Sequence, residues 1–207
     1  MKFATLLFIT IVSISSFGFA QSVTIGTQTW MTLNLDVAIF RNGDAILEVK
    51  DDAEWLDAWV NEQPAWCYYN NDPKNGTKYG KLYNWYAVND NRGLAPLGWH
   101  VPTDQEWTVL STFLGGEDVA GKKMKSSSGW NYKSNGNNSS GFTGLPGGYR
   151  TSGVDFLMVG DFGFWWSASE YDETGAWSRA LLYNFNSDLS RSSYGKDAGF
   201  SVRCVKD

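Results

Sequence analysis

Gly199-Phe-Ser-Val-Arg-Cys-Val-Lys-Asp207 closes the chain with an apolar strand pattern that sets an arginine beside a cysteine. The only other cysteine, Cys67, lies in Trp66-Cys-Tyr-Tyr-Asn-Asn-Asp-Pro73, which runs on to Tyr79-Gly-Lys-Leu-Tyr-Asn-Trp-Tyr-Ala87. A third block, Gly144-Leu-Pro-Gly-Gly-Tyr-Arg150, is followed by Phe164-Trp-Trp-Ser-Ala-Ser169. From Leu145 onward the pattern is short strands split by Gly and Asp, at 148–150, 163–169, 177–185 and 200–205. Earlier, residues 23–40 read as strands with a turn, and Asn42-Gly43 is a strong hairpin signal.

Between these β-rich ends the signals are helical. Residues 51–61 predict a helix capped by Asp51 or Asp52, with Trp55, Leu56 and Trp59 on a core-facing stripe and Pro64 beyond its end. Thr103-Asp-Gln-Glu106 is a capping box that opens a helix to Leu114. Its stripe is Trp107, Leu110, Phe113 and Leu114, and Gly115-Gly116 ends it. A second short helix is predicted over 118–125, with Lys122, Lys123 and Lys125 forming a solvated face. Asn70-Asn-Asp-Pro73 and Asn75-Gly76 read as loop, and Tyr83, Trp85 and Val88 fit a strand or a short helix. Residues 126–144 are a long Ser-, Asn- and Gly-rich loop, the expected ligand-facing segment. A helical middle between β-rich ends predicts one α+β domain over 21–207.

Residues 1–20 read as a secretory signal peptide. Lys2 precedes the apolar run 3–12, and Gly18-Phe19-Ala20 fits a small-x-small cleavage site. The expected location is therefore secreted, extracellular or periplasmic, with no membrane insertion after cleavage. With 22 acidic and 17 basic residues the chain lacks the electrostatic footprint of a nucleic-acid binder. Two cysteines in an exported chain predict one disulfide, Cys67–Cys204. The alternative is two buried thiols that never meet. Eleven Trp, ten Tyr and twelve Phe can build a core, and some excess is expected at the surface; the alternative is a loop-rich domain that fills irregular gaps with large rings.

The blocks quoted above, with Ile25-Gly-Thr-Gln-Thr-Trp-Met31, Asn34-Leu-Asp36 and Gly98-Trp-His-Val-Pro-Thr103, resemble the Fibrobacter succinogenes major paralogous domain family. That family looks related to the formylglycine-generating-enzyme and C-type-lectin-like folds. The resemblance implies two helices packed on a twisted antiparallel sheet, neighbouring terminal strands, and long loops that carry any function. It does not transfer an activity. Formylglycine-generating enzymes bind copper through a pair of cysteines near the C-terminus, and only Cys204 stands there. Calcium-dependent lectins use Glu-Pro-Asn or Gln-Pro-Asp with Trp-Asn-Asp; Gln63-Pro-Ala65 and Trp166-Ser-Ala168 lack those calcium ligands.

The lone histidine, His100, cannot build a zinc site or a triad by itself and reads as structural. No phosphate-cradling glycine loop occurs. Asn70–Asp72 and Asp172-Glu173 are calcium-capable turns, without a recognisable calcium motif. The expectation is a non-enzymatic binding module of the bacterial cell envelope that recognises carbohydrate, without a cofactor. One candidate group is Trp130 and Tyr132 with Asn137 and Asn138; the second is Trp166, Tyr171 and Trp177. The alternatives are a protein-interaction module and a hydrolase using paired carboxylates among Asp155, Asp161, Glu170, Asp172 and Glu173.

Overall fold

The computed structural model describes residues 21–153 and 155–207, so the leader read over 1–20 lies outside the described residues. Strands β1 (Ser22–Ile25) and β2 (Gln28–Met31) form a hairpin turned by Gly26 at φ +62°. Next come β3 (Leu47–Glu48), α1 (Asp52–Val60), β4 (Ala65–Cys67), α2 (Pro73–Tyr79), β5 (Leu82–Tyr83), α3 (Trp85–Val88) and β6 (Trp99–His100). Helices α4 (Asp104–Phe113) and α5 (Glu117–Met124) follow, then β7 (Gly147–Arg150), β8 (Phe156–Val159), β9 (Phe162–Glu170), β10 (Gly175–Leu182), β11 (Phe185–Gly195) and β12 (Val205–Lys206). The strands form three sheets, ordered β1-β2-β12-β6, β11-β10-β9-β7-β8 and β3-β4-β5. The pairs β7–β9 and β3–β4 are parallel and the others antiparallel. The class is α+β, as expected.

Strand β9 is the centre of the five-stranded sheet, and both of its faces are covered. Phe164 and Trp166 point into one apolar cluster with Tyr83, Phe200 and Cys204. Trp165, between them, points into another with Trp107 and Leu110 of α4, Ala120 and Met124 of α5, and Trp130. Alternation along a strand sends neighbouring side chains to opposite faces. A run of three large aromatics therefore marks a strand buried on both sides.

Both helical ends read from the sequence are present. Thr103 Oγ1 accepts the Glu106 N–H at 3.2 Å, and Glu106 Oε2 accepts the Thr103 N–H at 2.8 Å, completing the capping box. Asp51 Oδ1 accepts the Glu54 N–H at 2.9 Å. The stripes are narrower than expected. Only Trp55 and Ala58 of α1 are buried, while Leu56 and Trp59 stand outside. Phe113 likewise leaves the α4 stripe.

Two readings are corrected outright. Asn75-Gly76 is helix, not loop: Asp72 caps the Lys74 N–H at 3.0 Å, Pro73 fills the first turn, and Gly76 backs onto the Tyr68 ring. A Cβ there would lie 2.1 Å from that ring, so the glycine serves packing and not a turn. The lysine cluster after α4 is a solvated face only at Lys122. Lys125 is fully buried, its Nζ donates to Leu182 O at 2.7 Å and lies 4.7 Å from the Trp130 ring centre. Burial pushes its pKa down to about 8. Lys123 Nζ donates to Leu114 O at 2.7 Å, neutralising the carbonyl end of α4.

Cys67 and Cys204 are both free and buried, so the expected disulfide is absent. Strand alternation is the reason. Trp66 and Tyr83 pair across β4–β5 and face the cluster that holds Cys204. Cys67 and Leu82, one residue along, face a separate cluster with Trp55 and Tyr69. The thiols thus lie on opposite faces of one sheet. Burial pushes both up to about 12, which leaves them inert. Ellman's reagent is expected to find no reactive thiol in the native protein and both in denaturant without reductant. Silent thiols in denaturant would reinstate the disulfide.

Candidate binding cleft

Strands β9 and β10 are joined by the turn 171–174. Asp172 Oδ1 accepts from the Thr174 N–H at 2.9 Å, the Thr174 hydroxyl at 2.9 Å and the Gly175 N–H at 2.8 Å. These bonds hold its pKa below the usual carboxylate value. The turn presents Tyr171 outward, 53% exposed, edge-on to Trp177 at 4.8 Å. Arg191 of β11 lies flat on Trp177, its guanidinium carbon 3.3 Å from the ring centre.

Across from this turn stands the end of α1. Trp59 is 45% exposed there, and the chain reverses through Glu62 in the left-handed region at φ +51°. The Gln63 N–H returns to Ala58 O at 2.7 Å and closes the helix. Tyr86 of α3 and Tyr194 of β11 complete the walls of a cleft of about 400 Å³. Burial raises the Tyr86 phenol, and the carboxylates of Glu62 and Asp197 raise it further, so the hydroxyl stays protonated as a donor.

The floor is Asp197, 5% exposed, in the tight turn between β11 and the C-terminal segment. Its Oδ2 is buried and has no hydrogen-bond partner among the described residues. The cleft lining holds Glu62, Asp172, Glu173 and Asp197 and, among the described residues, no Lys, Arg or His. It can accept hydrogen bonds and stack flat apolar faces.

A larger groove of about 740 Å³ runs between the β1–β2 turn and α4, lined by Val109 and Phe113 and free of charged side chains. Its polar groups are the uncharged side chains of Thr27, Gln105, Thr108 and Thr112.

The first candidate group from the sequence does not assemble. Trp130 is 5% exposed, and its Nε1–H donates to Ser126 Oγ at 3.1 Å inside the core. Tyr132 is 75% exposed and packs on Tyr183, ring centres 4.9 Å apart. Asn137 is exposed and spends its Oδ1 on the Ser139 N–H at 3.0 Å. Asn138 binds Thr143 twice, accepting the backbone N–H at 2.8 Å and donating to the hydroxyl at 3.0 Å. The loop is built on its own polar groups. In the second group Trp166 is fully buried, with Nε1–H donating to Tyr83 O at 2.8 Å, and presents no face to solvent. Tyr171 lines the cleft and Trp177 braces it. The calcium-capable turns use their carboxylates internally, Asp72 capping α2 and Asp172 shaping its turn. No cluster of three or more metal-ligating side chains occurs among the described residues.

Sequence reading missed Trp59, Tyr86 and Asp197. Exposure of Trp59 at the end of a short helix could have been guessed from the acids around it; nothing local distinguishes Asp197. The model of the Fibrobacter succinogenes major domain matches residues 23–206. Neither a curated protein nor a solved structure matches the chain.

Proposed function

The chain belongs to the Fibrobacter succinogenes major domain family, and on that premise we propose that it is an exported, non-enzymatic binding module of the cell envelope that recognises carbohydrate. The observation that carries this is the pair of exposed rings, Trp59 and Tyr171, on opposite walls of one cleft whose other groups are hydroxyls and carboxylates. The apolar face of a sugar ring stacks on such rings, and its hydroxyls donate to such acids. A C-type-lectin-like arrangement is part of the proposal. It is supported by β12 pairing with β2, which sets the C-terminal strand against the N-terminal hairpin, and by α4 and α5 sharing one core with β10 and β11.

The test is a glycan panel followed by titration with Trp59→Ala, Tyr171→Ala and Tyr132→Ala. Loss of a stacking ring at a binding centre costs on the order of 2 kcal/mol, about 30-fold in Kd. Each cleft variant is expected to lose that much, and Tyr132→Ala nothing. Full glycan affinity in the Trp59→Ala/Tyr171→Ala double variant would exclude this cleft. A protein partner is the second reading, favoured by the uncharged groove under Phe113, which is 63% exposed. It takes the lead if no glycan binds and Phe113→Asp releases a partner from the envelope.

A further inference from the structure

We infer that the ligand of this cleft carries a protonated amine, so that the module selects amino sugars with a free amine over their acetylated or neutral counterparts. The inference rests on the carbohydrate reading above and deepens it.

Asp197 is the ground for it. A buried carboxylate normally has a cation or several donors, because an uncompensated charge away from water is costly. Here Oδ2 has no partner among the described residues, and the backbone on either side of the carboxylate is fastened. Trp55 Nε1–H donates to Asp197 O at 2.9 Å, the Ala198 N–H returns to Gly195 O at 2.9 Å, and the Lys196 N–H donates to Thr174 O at 3.0 Å. Lys196, adjacent in sequence, commits its ammonium to the Glu170 carboxylate and Glu173 O, where its charge acts on Asp172. The carboxylate also needs room that only glycine leaves: a Cβ on Gly195 would come 2.4 Å from Asp197 Oδ1.

A neutral sugar hydroxyl would satisfy one oxygen but leave the charge of Asp197, and of Glu62 and Glu173 in the same lining, uncompensated. An ammonium group does both, and the faces of Trp59 and Tyr171 attract a cation as well as a sugar ring. Charge-assisted hydrogen bonds are about twice as strong as neutral ones, so the preference should be large.

The experiment titrates the 21–207 protein by calorimetry with β-1,4-linked glucosamine hexamer, its fully N-acetylated form and a neutral glucose hexamer, with calcium and then with chelator. The glucosamine hexamer is expected to bind at least about tenfold tighter than either. Asp197→Asn, and independently Glu62→Gln, should bring the three ligands to near parity, with folding checked by thermal melting. Equal affinity for all three in the parent protein, together with sensitivity to Trp59→Ala, would overturn the amine inference and keep the carbohydrate reading. No binding to any hexamer would overturn both. Binding that vanishes with chelator would assign Asp197 to a metal and overturn the amine inference alone.

Discussion

Asp104→Asn is expected to destabilise the fold by about 3–5 kcal/mol, lowering the thermal midpoint by roughly 10 °C. Asp104 stands in the first turn of α4 and serves two guanidinium groups at once. Arg179 NH1 donates to Oδ1 at 2.7 Å, and Arg191 NH2 donates to Oδ2 at 2.9 Å. Arg179 is fully buried, and its Nε already lacks a partner. An amide keeps the shape but leaves that buried charge uncompensated. The same pair sets an acid limit. Burial works against the ionised carboxyl, but the hydrogen bonds from Arg191 and Arg179 outweigh it and hold the pKa below its ordinary value. A depressed folded value means stabilisation present above about pH 3.9 and lost as pH falls through the folded pKa. His100 acts in the opposite direction. Burial lowers its pKa, but Asp207 and Glu106, at 2.8 and 2.7 Å, more than reverse that. Its contribution is full below about pH 6.5 and fades as pH rises through the raised folded value. Urea denaturation across pH checks both. An Asp104→Asn midpoint within about 2 °C of the parent, or an unchanged acid limb, would refute the account of α4.

Arg203→Ala is expected to cost about 4 kcal/mol or more, at the severe end for a single substitution. Arg203 is fully buried with no acid beside it among the described residues. Carbonyls and one amide solvate it instead. NH1 donates to Met31 O at 3.0 Å and Phe142 O at 2.5 Å, and Nε and NH2 donate to Asn34 Oδ1 at 3.1 and 2.7 Å. The guanidinium lies 4.4 Å from the Phe142 ring centre. Asn34 Oδ1 also accepts Trp165 Nε1–H at 2.9 Å, and its Nδ2 donates to Tyr79 O at 2.8 Å. Truncation takes the guanidinium donors from Met31 O and Phe142 O, at about 1–3 kcal/mol for each acceptor left unpaired, leaves Asn34 Oδ1 with Trp165 Nε1–H alone, and opens a cavity. Asn34→Ala should fall in the same range. The pair is not additive, because both remove one network; a double-mutant cycle by chemical denaturation is expected to show strong coupling. Additive losses would mean that the two side chains act separately.

This network explains what the quoted motifs do. Asn34-Leu-Asp36, the loop around Phe142, Phe164-Trp-Trp166 and the Arg203-Cys204 end meet at one polar hub in an apolar core. These motifs therefore hold the fold, and the cleft is lined mostly by residues outside them.

What was legible in the sequence follows the range of the forces involved. The capping box at Thr103 was readable because its bonds span three residues. Strand β11 escaped notice because its middle, Ser187-Asp-Leu-Ser-Arg-Ser-Ser193, is polar and sends little but Leu189 into the core. Helical spacing put Trp55 and Trp59 on one side of α1 but could not say where the core stops along it. Trp130 and Trp166 looked available because composition counts rings without saying which face of a sheet they take.

The amino-acid sequence by itself determined the α+β class, the family, the ends of α1 and α4 and the ring at Tyr171, because periodicity, capping and turn chemistry act between near neighbours. Only the tertiary structure decided that the cysteines never meet, that Lys125 and three arginines are buried, and that Asp197 faces a cleft without a partner. Those outcomes depend on which face of a sheet a side chain takes and on what residues a hundred positions away leave unpaired, and no local pattern encodes either.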